Sequence, residues 1–87
     1  MNNIVNVSNE AKKFIDGLHM ENKKKILKEI RKLREDSDIG KELIDNLKGL
    51  RSLRVGKYRI LYRVGKKEVE VIAVGYRRDI YKRFTRS

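Results

Sequence analysis

The sequence contains no cysteine, so it forms no disulfide and has neither a thiolate nucleophile nor a cysteine-based metal site. Its single histidine, His19, has no evident partner for acid–base work. It has no glycine-rich phosphate loop, nucleophile elbow or Ser-His-Asp set. Glu68 and Glu70 share one face of a predicted strand, where pairing with Lys or Arg is favoured over metal binding. We therefore expect a protein that uses no metal ion and no cofactor.

Long apolar runs are also missing. No stretch approaches the roughly 20 residues that span a membrane, and residues 1–4 do not have the pattern of a signal peptide. We expect a cytoplasmic protein that does not bind membranes. The length of 87 residues predicts a single domain, residues 1–87.

Acidic residues are scarce in the second part of the chain. Residues 1–49 contain 11 lysines and arginines against 9 aspartates and glutamates, whereas residues 50–87 contain 12 against 3. Most of the net charge of +11 therefore lies in the part that is predicted to form strands. Because an excess of one sign of charge repels itself, this region indicates a polyanionic partner, either nucleic acid or an acidic protein. The alternative is a soluble basic domain without such a partner.

The apolar pattern predicts helices first and strands afterwards. Ile4–Val7 is a short apolar run that ends at Ser8 and Asn9, which are favourable N-cap residues, so it predicts a strand leading into a helix. Two amphipathic patterns follow, with apolar residues at Ala11, Phe14, Ile15 and Leu18, and then at Ile26, Leu27, Ile30 and Leu33. Each helix has one apolar stripe, and a sheet is the surface that both can cover.

That sheet is expected from the second part of the chain, with tight turns at residues 55–58 and 65–67. Tyr58 and Tyr62 share a strand face with Ile60, which favours a place in the core. Residues 40–49 are expected to be a loop whose Leu43, Ile44 and Leu47 form a helical turn or tuck under the core, and residues 79–84 a short C-terminal helix. The predicted fold is a two-layer α+β domain, β-α-α-β-β-β, in which two N-terminal helices pack on an antiparallel sheet.

Arginines alternate with apolar residues along the predicted strands, so one sheet face would be buried and the other would carry guanidinium groups. The available Arg, Lys and Tyr side chains suit the cleavage of RNA by its own 2′-hydroxyl. Arginines stabilise the extra charge on the phosphate, but an arginine pKa above ~12 makes it a poor base. The base would be Tyr81 or a lysine, because neighbouring cations lower the pKa of either side chain.

Three segments, LKG at residues 47–49, LRVGKYRILY at 53–62 and VGYRRDIY at 74–81, resemble the RelE toxins of bacterial and archaeal toxin–antitoxin systems, within the RelE/ParE superfamily. The element order also matches, so the resemblance covers essentially the whole chain. It implies a toxin that enters the ribosomal A site and cleaves the bound messenger RNA without a metal ion. It also implies a RelB-type antitoxin that wraps around the toxin and silences it. The alternatives are a ParE-like toxin, which shares the fold and poisons DNA gyrase, and a basic RNA-binding module without catalytic activity.

The resemblance implies three catalytic residues. Arg59 matches the arginine of the family's tyrosine-arginine strand segment, a ligand of the transition-state phosphate, and Arg77 matches the second catalytic arginine. Tyr81 matches the C-terminal tyrosine, which stacks on the substrate nucleotide or activates it. The best-known members have two strand lysines at the places of Leu50 and Ser52. The residues expected to bind RNA phosphates around this site are Arg51, Arg54, Lys57, Arg63, Arg78 and Lys82; for Arg63, a solubility role on an edge strand is the alternative.

Overall fold

The computed structural model describes residues 3–43, 49–80 and 82. Within these residues the chain forms two helices and five strands, which confirms the predicted α+β fold and the order of helices before the meander. No helix among them has the length and the apolar character that crossing a membrane requires. The elements are β1 (Ile4–Val7), α1 (Asn9–Asp16), α2 (Met20–Lys32), β2 (Lys41–Glu42), β3 (Arg51–Val55), β4 (Tyr58–Gly65) and β5 (Glu68–Tyr76).

Helix α1 begins where the sequence predicts, because Ser8 caps it. The Ser8 Oγ accepts a hydrogen bond from the Ala11 amide at 3.1 Å and donates one to the Ile72 carbonyl at 2.6 Å. The same hydroxyl therefore satisfies a free amide of the helix and ties the start of α1 to β5. Helix α1 ends at Asp16, with Gly17 as its C-cap, and the chain turns back into α2 at Met20.

Helix α2 packs with the apolar stripe that the sequence predicts, apart from one residue. Ile26, Ile30 and Leu33 are buried, whereas Leu27 is 37% exposed. Leu27 follows Ile26 directly, so it is turned by about 100° from it and lies at the margin of the stripe. The prediction that Leu27 shares the buried face was wrong.

The sheet has the order β1-β5-β4-β3-β2 and is mixed rather than antiparallel. Strands β2 to β5 pair antiparallel, but β1 pairs with β5 in parallel, with Ile4 opposite Glu68. The wholly antiparallel sheet of the prediction is therefore corrected. The physical reason is that α1, α2 and strands β2 to β4 lie between β1 and β5 in the chain, a connection long enough for parallel pairing, which a hairpin turn is not.

The predicted loop at residues 40–49 contains a short strand. Lys41 and Glu42 form β2 at the outer edge of the sheet, opposite Ser52 and Arg51. Two residues are too few for the alternation that identifies a strand in a sequence. Leu43 packs beneath the C-terminal segment, as one of the two predicted alternatives had it, whereas Ile44 and Leu47 lie outside the described residues.

Both predicted hairpin turns are confirmed. Residues 56–57 connect β3 to β4, and residues 66–67 connect β4 to β5. Gly56 has a φ of 59°, at the first of two turn residues, where a type II′ turn places glycine. Lys67 adopts a φ of 55° without being a glycine.

Both faces of the sheet bury side chains. The larger core lies between the helices and one face, and its buried residues include Tyr58, Ile60 and Tyr62, as predicted. On the other face Leu61 and Ala73 pack against Ile80. A register shift between Leu61 and Tyr62 marks a β-bulge here. Ile80 therefore covers part of the second face, whereas residues 81, 83 and 84 of the helix predicted at 79–84 lie outside the described residues.

Candidate functional site

Two arginines lie opposite each other on the sheet face that points away from the helices. Arg54 of β3 is the direct cross-strand partner of Arg59 of β4. Their neighbours Leu53, Val55 and Tyr58 pack into the main core, so strand alternation turns both guanidinium groups to the opposite side. We call this side the arginine face. Like charges placed opposite each other destabilise a sheet, which is tolerated where an anion is to be bound.

Arg59 is held in a defined position on the arginine face. It is half-buried, and its Nη1 donates a hydrogen bond to the Ser52 Oγ at 3.2 Å. Ser52 is 2% exposed, so this acceptor is largely shielded from water. Sequence reasoning noted Ser52 only as a departure from the family's lysine. Its two-residue spacing from Arg54 on the same strand was the signal that it lies on the arginine face.

Gly75 of β5 lies on the other side of Arg59 and makes room for the C-terminal segment. Gly75 is the cross-strand partner of Arg59, and a Cβ placed on it would lie 3.4 Å from two carbons of Ile80. Ile80 is fully buried. Gly75 therefore leaves room for Ile80 to pack closely on the sheet next to Arg59, where a side chain larger than a methyl group would not fit.

Arg77 is placed near the β3–β4 turn by the backbone. Its amide donates a hydrogen bond to the Lys57 carbonyl at 2.9 Å, which extends the β4–β5 ladder beyond the pair of Tyr58 and Tyr76. The Asp79 amide then bonds to the Tyr76 carbonyl at 3.0 Å and turns the chain. Arg77 is thus held at the same end of the sheet as the Arg54–Arg59 pair.

A cleft of about 670 Å³ lies at this end of the sheet. It is lined by Lys57, Tyr76, Arg77, Arg78 and Asp79, all of them exposed. Three of the five carry a positive charge, so the cleft suits an anionic ligand. Sequence reasoning missed Tyr76 and Asp79 as lining residues. The position of Tyr76 beside the predicted catalytic Arg77 was the available signal.

The structure places two of the predicted phosphate ligands elsewhere. Arg51 lies on the helix side of β3, and its guanidinium donates to the Gly40 carbonyl at 2.9 and 3.2 Å and to the Asp38 carbonyl at 3.3 Å. Arg63 lies towards the far end of β4, 4.0 Å from Glu70, which is the cross-strand pairing expected for that carboxylate.

The remaining predicted residues lie on the C-terminal segment. Lys82 is exposed, and its amide donates to the Asp79 carbonyl at 3.1 Å. Tyr81 lies outside the described residues. Of the predicted residues, Lys57, Arg77 and Arg78 line the cleft, and Arg54 and Arg59 pair on the arginine face at the same end of the sheet. Among the residues it describes, no group of three or more His, Cys, Asp or Glu side chains is placed to hold a metal ion.

The chain is a small basic α+β domain with arginines grouped at one end of its sheet. The family model described as the ParE toxin of type II toxin–antitoxin system, parDE, matches residues 5–81. The chain belongs to this family and is a toxin of the RelE/ParE superfamily, as the sequence motifs predicted. A search of curated proteins found no match to the chain.

Solved structures of toxin–antitoxin systems share the fold. A chain of the RelBE2 complex from Mycobacterium tuberculosis is 25% identical, with a TM-score of 0.81 over 88% of this chain and 100% of that chain. A chain of the archaeal RelE–RelB complex from Pyrococcus horikoshii is 21% identical, with a TM-score of 0.72 over 88% and 97%. A chain of the chromosomal ParDE system from P. aeruginosa is 14% identical, with a TM-score of 0.72 over 85% and 95%.

Proposed function

We propose that this toxin is a metal-independent endoribonuclease that cleaves messenger RNA in the ribosomal A site and so inhibits translation. The observation that supports the proposal is the grouping of Arg59 and Arg77 at one end of the sheet. Arg59 lies on β4 and Arg77 directly follows β5. A hydrogen bond to Ser52 orients the Arg59 guanidinium, and the Arg77 backbone is bonded to Lys57. Arginine pairs of this kind recognise the oxygens of a phosphate.

The proposed reaction uses the 2′-hydroxyl of the RNA as the nucleophile. A base removes its proton, the 2′-oxygen forms a bond to the adjacent phosphorus, and the bond to the 5′-oxygen breaks as that oxygen takes up a proton. The products are a cyclic phosphate and a free 5′-hydroxyl. Arg59 and Arg77 stabilise the additional charge on the phosphate. Tyr81 either takes part in proton transfer or stacks on the nucleotide and positions it.

The surrounding cations bind the RNA backbone in this proposal. Arg54, Lys57, Arg78 and Lys82 are exposed and offer charge without a single fixed geometry. Arg51 is better assigned to the protein itself, because its guanidinium already bonds to two backbone carbonyls. Arg63 lies away from the site and adds only to the overall positive electrostatic potential of the protein.

We also propose an antitoxin partner of the RelB type. Relatives with this fold were solved as toxin–antitoxin complexes, and the net charge of +11 favours an acidic or amphipathic partner. Carboxylates of that partner would cover the arginine face, and its helix would lie in an apolar groove or displace the C-terminal segment. Either arrangement removes the phosphate ligands from RNA.

The decisive experiment expresses the toxin alone and examines growth, translation and messenger RNA. The parent should arrest growth and cut messages within translated regions. Arg59→Ala and Arg77→Ala should each lower the cleavage of ribosome-bound RNA by roughly 10²–10³-fold, as the loss of one donor to a developing oxyanion does. Arg63→Ala is the matched control, because it removes an exposed arginine from the far end of β4. Thermal unfolding checks that all three variants fold.

Two outcomes would contradict the proposal. Intact messages during growth arrest would exclude the nuclease, and full activity of both Arg59→Ala and Arg77→Ala would exclude this site. Tyr81→Phe separates the two roles of the tyrosine, because it keeps the ring and removes the hydroxyl. A large loss of rate assigns Tyr81 to proton transfer, and a small loss assigns it to positioning.

A gyrase-poisoning toxin is the second candidate. It is favoured by the ParE description of the matching family model and by the shared fold of the ParDE system. Expression of such a toxin would provoke DNA damage while translation initially continued, so the same induction experiment distinguishes the two activities.

A further inference from the structure

Tyr76 places an aromatic ring in the cleft. It is the last residue of β5 and is 43% exposed. Two other rings support it from inside the protein: Phe14 meets it edge-on, with centroids 5.6 Å apart and planes at 84°. Tyr58 lies tilted against it at 5.2 Å and 35°. The Tyr76 ring is therefore fixed in orientation while much of its surface stays accessible.

A cation lies beside this ring. The Lys57 Nζ is 5.9 Å from the Tyr76 centroid and 5.8 Å from that of Tyr58. Distances within about 6 Å allow attraction between an ammonium group and a ring. Arg77 and Arg78 follow Tyr76 directly and line the same cleft. The cleft thus combines one supported aromatic surface with three positive charges.

This combination suits single-stranded nucleic acid. Proteins bind single strands by stacking bases on aromatic rings and by tracking the phosphates with cations. If the Tyr76 ring served only to pack against Phe14 and Tyr58, it would need neither exposure to the cleft nor cations beside it. A duplex is a poorer fit, because its bases are already stacked on each other.

We propose that Tyr76, with Lys57 beside it, forms a stacking subsite for one base of single-stranded RNA next to Arg77 and Arg78, which line the same cleft. The inference rests on the proposed nuclease function and specifies how the substrate is held. Tyr76 is a positioning residue in this scheme, since it touches a base and not the reacting atoms. Its loss should therefore raise KM more than it lowers kcat.

Fluorescence anisotropy with the full-length toxin tests the subsite. The probes are a short single-stranded RNA with 2′-O-methyl groups, which cannot be cleaved through its 2′-hydroxyl, and an abasic chain of the same length. Tyr76→Leu should weaken binding of the RNA about 5- to 150-fold, the contribution of one stacked base, and leave the abasic chain unaffected. Tyr76→Phe should bind the RNA like the parent.

Phe14→Leu is the matched control for the aromatic cluster. It removes a ring that touches Tyr76 but does not line the cleft. Because Tyr58 still packs against Tyr76, RNA binding should stay within about twofold of the parent. Lys57→Met should weaken both probes, whereas Lys66→Met removes the same charge at the opposite turn and should have a smaller effect. Thermal unfolding of each variant accompanies the titrations.

The subsite is refuted if Tyr76→Leu binds the RNA like the parent, if the parent does not prefer the RNA over the abasic chain, or if Phe14→Leu loses as much binding as Tyr76→Leu. Because the probe is not cleaved, these results do not depend on catalysis. Intact messages during growth arrest would refute the nuclease function separately.

Discussion

Replacing Tyr62 by phenylalanine should destabilise the toxin strongly, although only one oxygen atom is lost. Tyr62 is fully buried in the main core. Its hydroxyl accepts a hydrogen bond from the Gly40 amide at 2.8 Å and donates one to the Ser37 carbonyl at 2.8 Å. It therefore fastens the segment after α2 to β4. Arg51 bonds to the Gly40 carbonyl from the same side of the sheet.

The expected loss of stability follows from the hydrogen bonds that the Gly40 amide and the Ser37 carbonyl lose. Gly40 is buried, and its amide would be left without the hydroxyl, which costs about 1–3 kcal/mol. Ser37 is half-buried, so its carbonyl regains part of its hydration. We expect a loss of about 2 kcal/mol in the free energy of unfolding for Tyr62→Phe. For a domain of 60–100 residues this corresponds to a Tm lower by roughly 8–16 °C.

The measurement is thermal and urea unfolding, with Tyr58→Phe as the matched control. Tyr58 lies on the same face of the same strand and is 4% exposed, but its hydroxyl forms no hydrogen bond with any residue in 3–43, 49–80 or 82. Its loss should cost less than about 0.5 kcal/mol. A Tm for Tyr62→Phe within about 2 °C of the parent would show that water replaces the hydroxyl, and the reasoning would be wrong.

Three further results are expected. Ser52→Ala removes the acceptor of the Arg59 Nη1 and should slow RNA cleavage roughly 5- to 10-fold in a single-turnover assay with ribosome-bound message. Gly56→Ala places a Cβ at a φ of 59° and should lower the urea-derived stability by about 1–2 kcal/mol. Glu70→Gln breaks an exposed 4.0 Å ion pair with Arg63 and should change stability by less than about 0.5 kcal/mol in the same assay.

The sequence predicted the faces of the strands well, because alternation is a local property. It separated Tyr58, Ile60 and Tyr62 from Arg59, and the structure has the first three in the core. It did not predict the parallel pairing of β1 with β5. That pairing depends on the path of the chain between the two strands, and residues 4–7 carry no local pattern that indicates it.

The composition of the candidate site was harder to predict. Arg51 has the same parity on β3 as Leu53 and Val55, so alternation already indicated the helix side for its side chain. What no local pattern shows is that the carbonyls of Asp38 and Gly40 lie within its reach. Charge density alone therefore could not separate a guanidinium that is available to a ligand from one that holds the protein together.

Neighbouring residues of β4 contribute separately to the core and to the candidate site, whereas Gly75 of β5 affects both. Tyr58 faces the core and Arg59 the arginine face, so changing Arg59 removes charge without opening the core. Gly75 differs, because Ile80 packs directly on it. A methyl group at Gly75 would meet Ile80 at ordinary contact distance, but a larger side chain would push Ile80 away, together with Asp79. Gly75 is also the cross-strand partner of Arg59, so a change at this one position affects both the cleft and the arginine face.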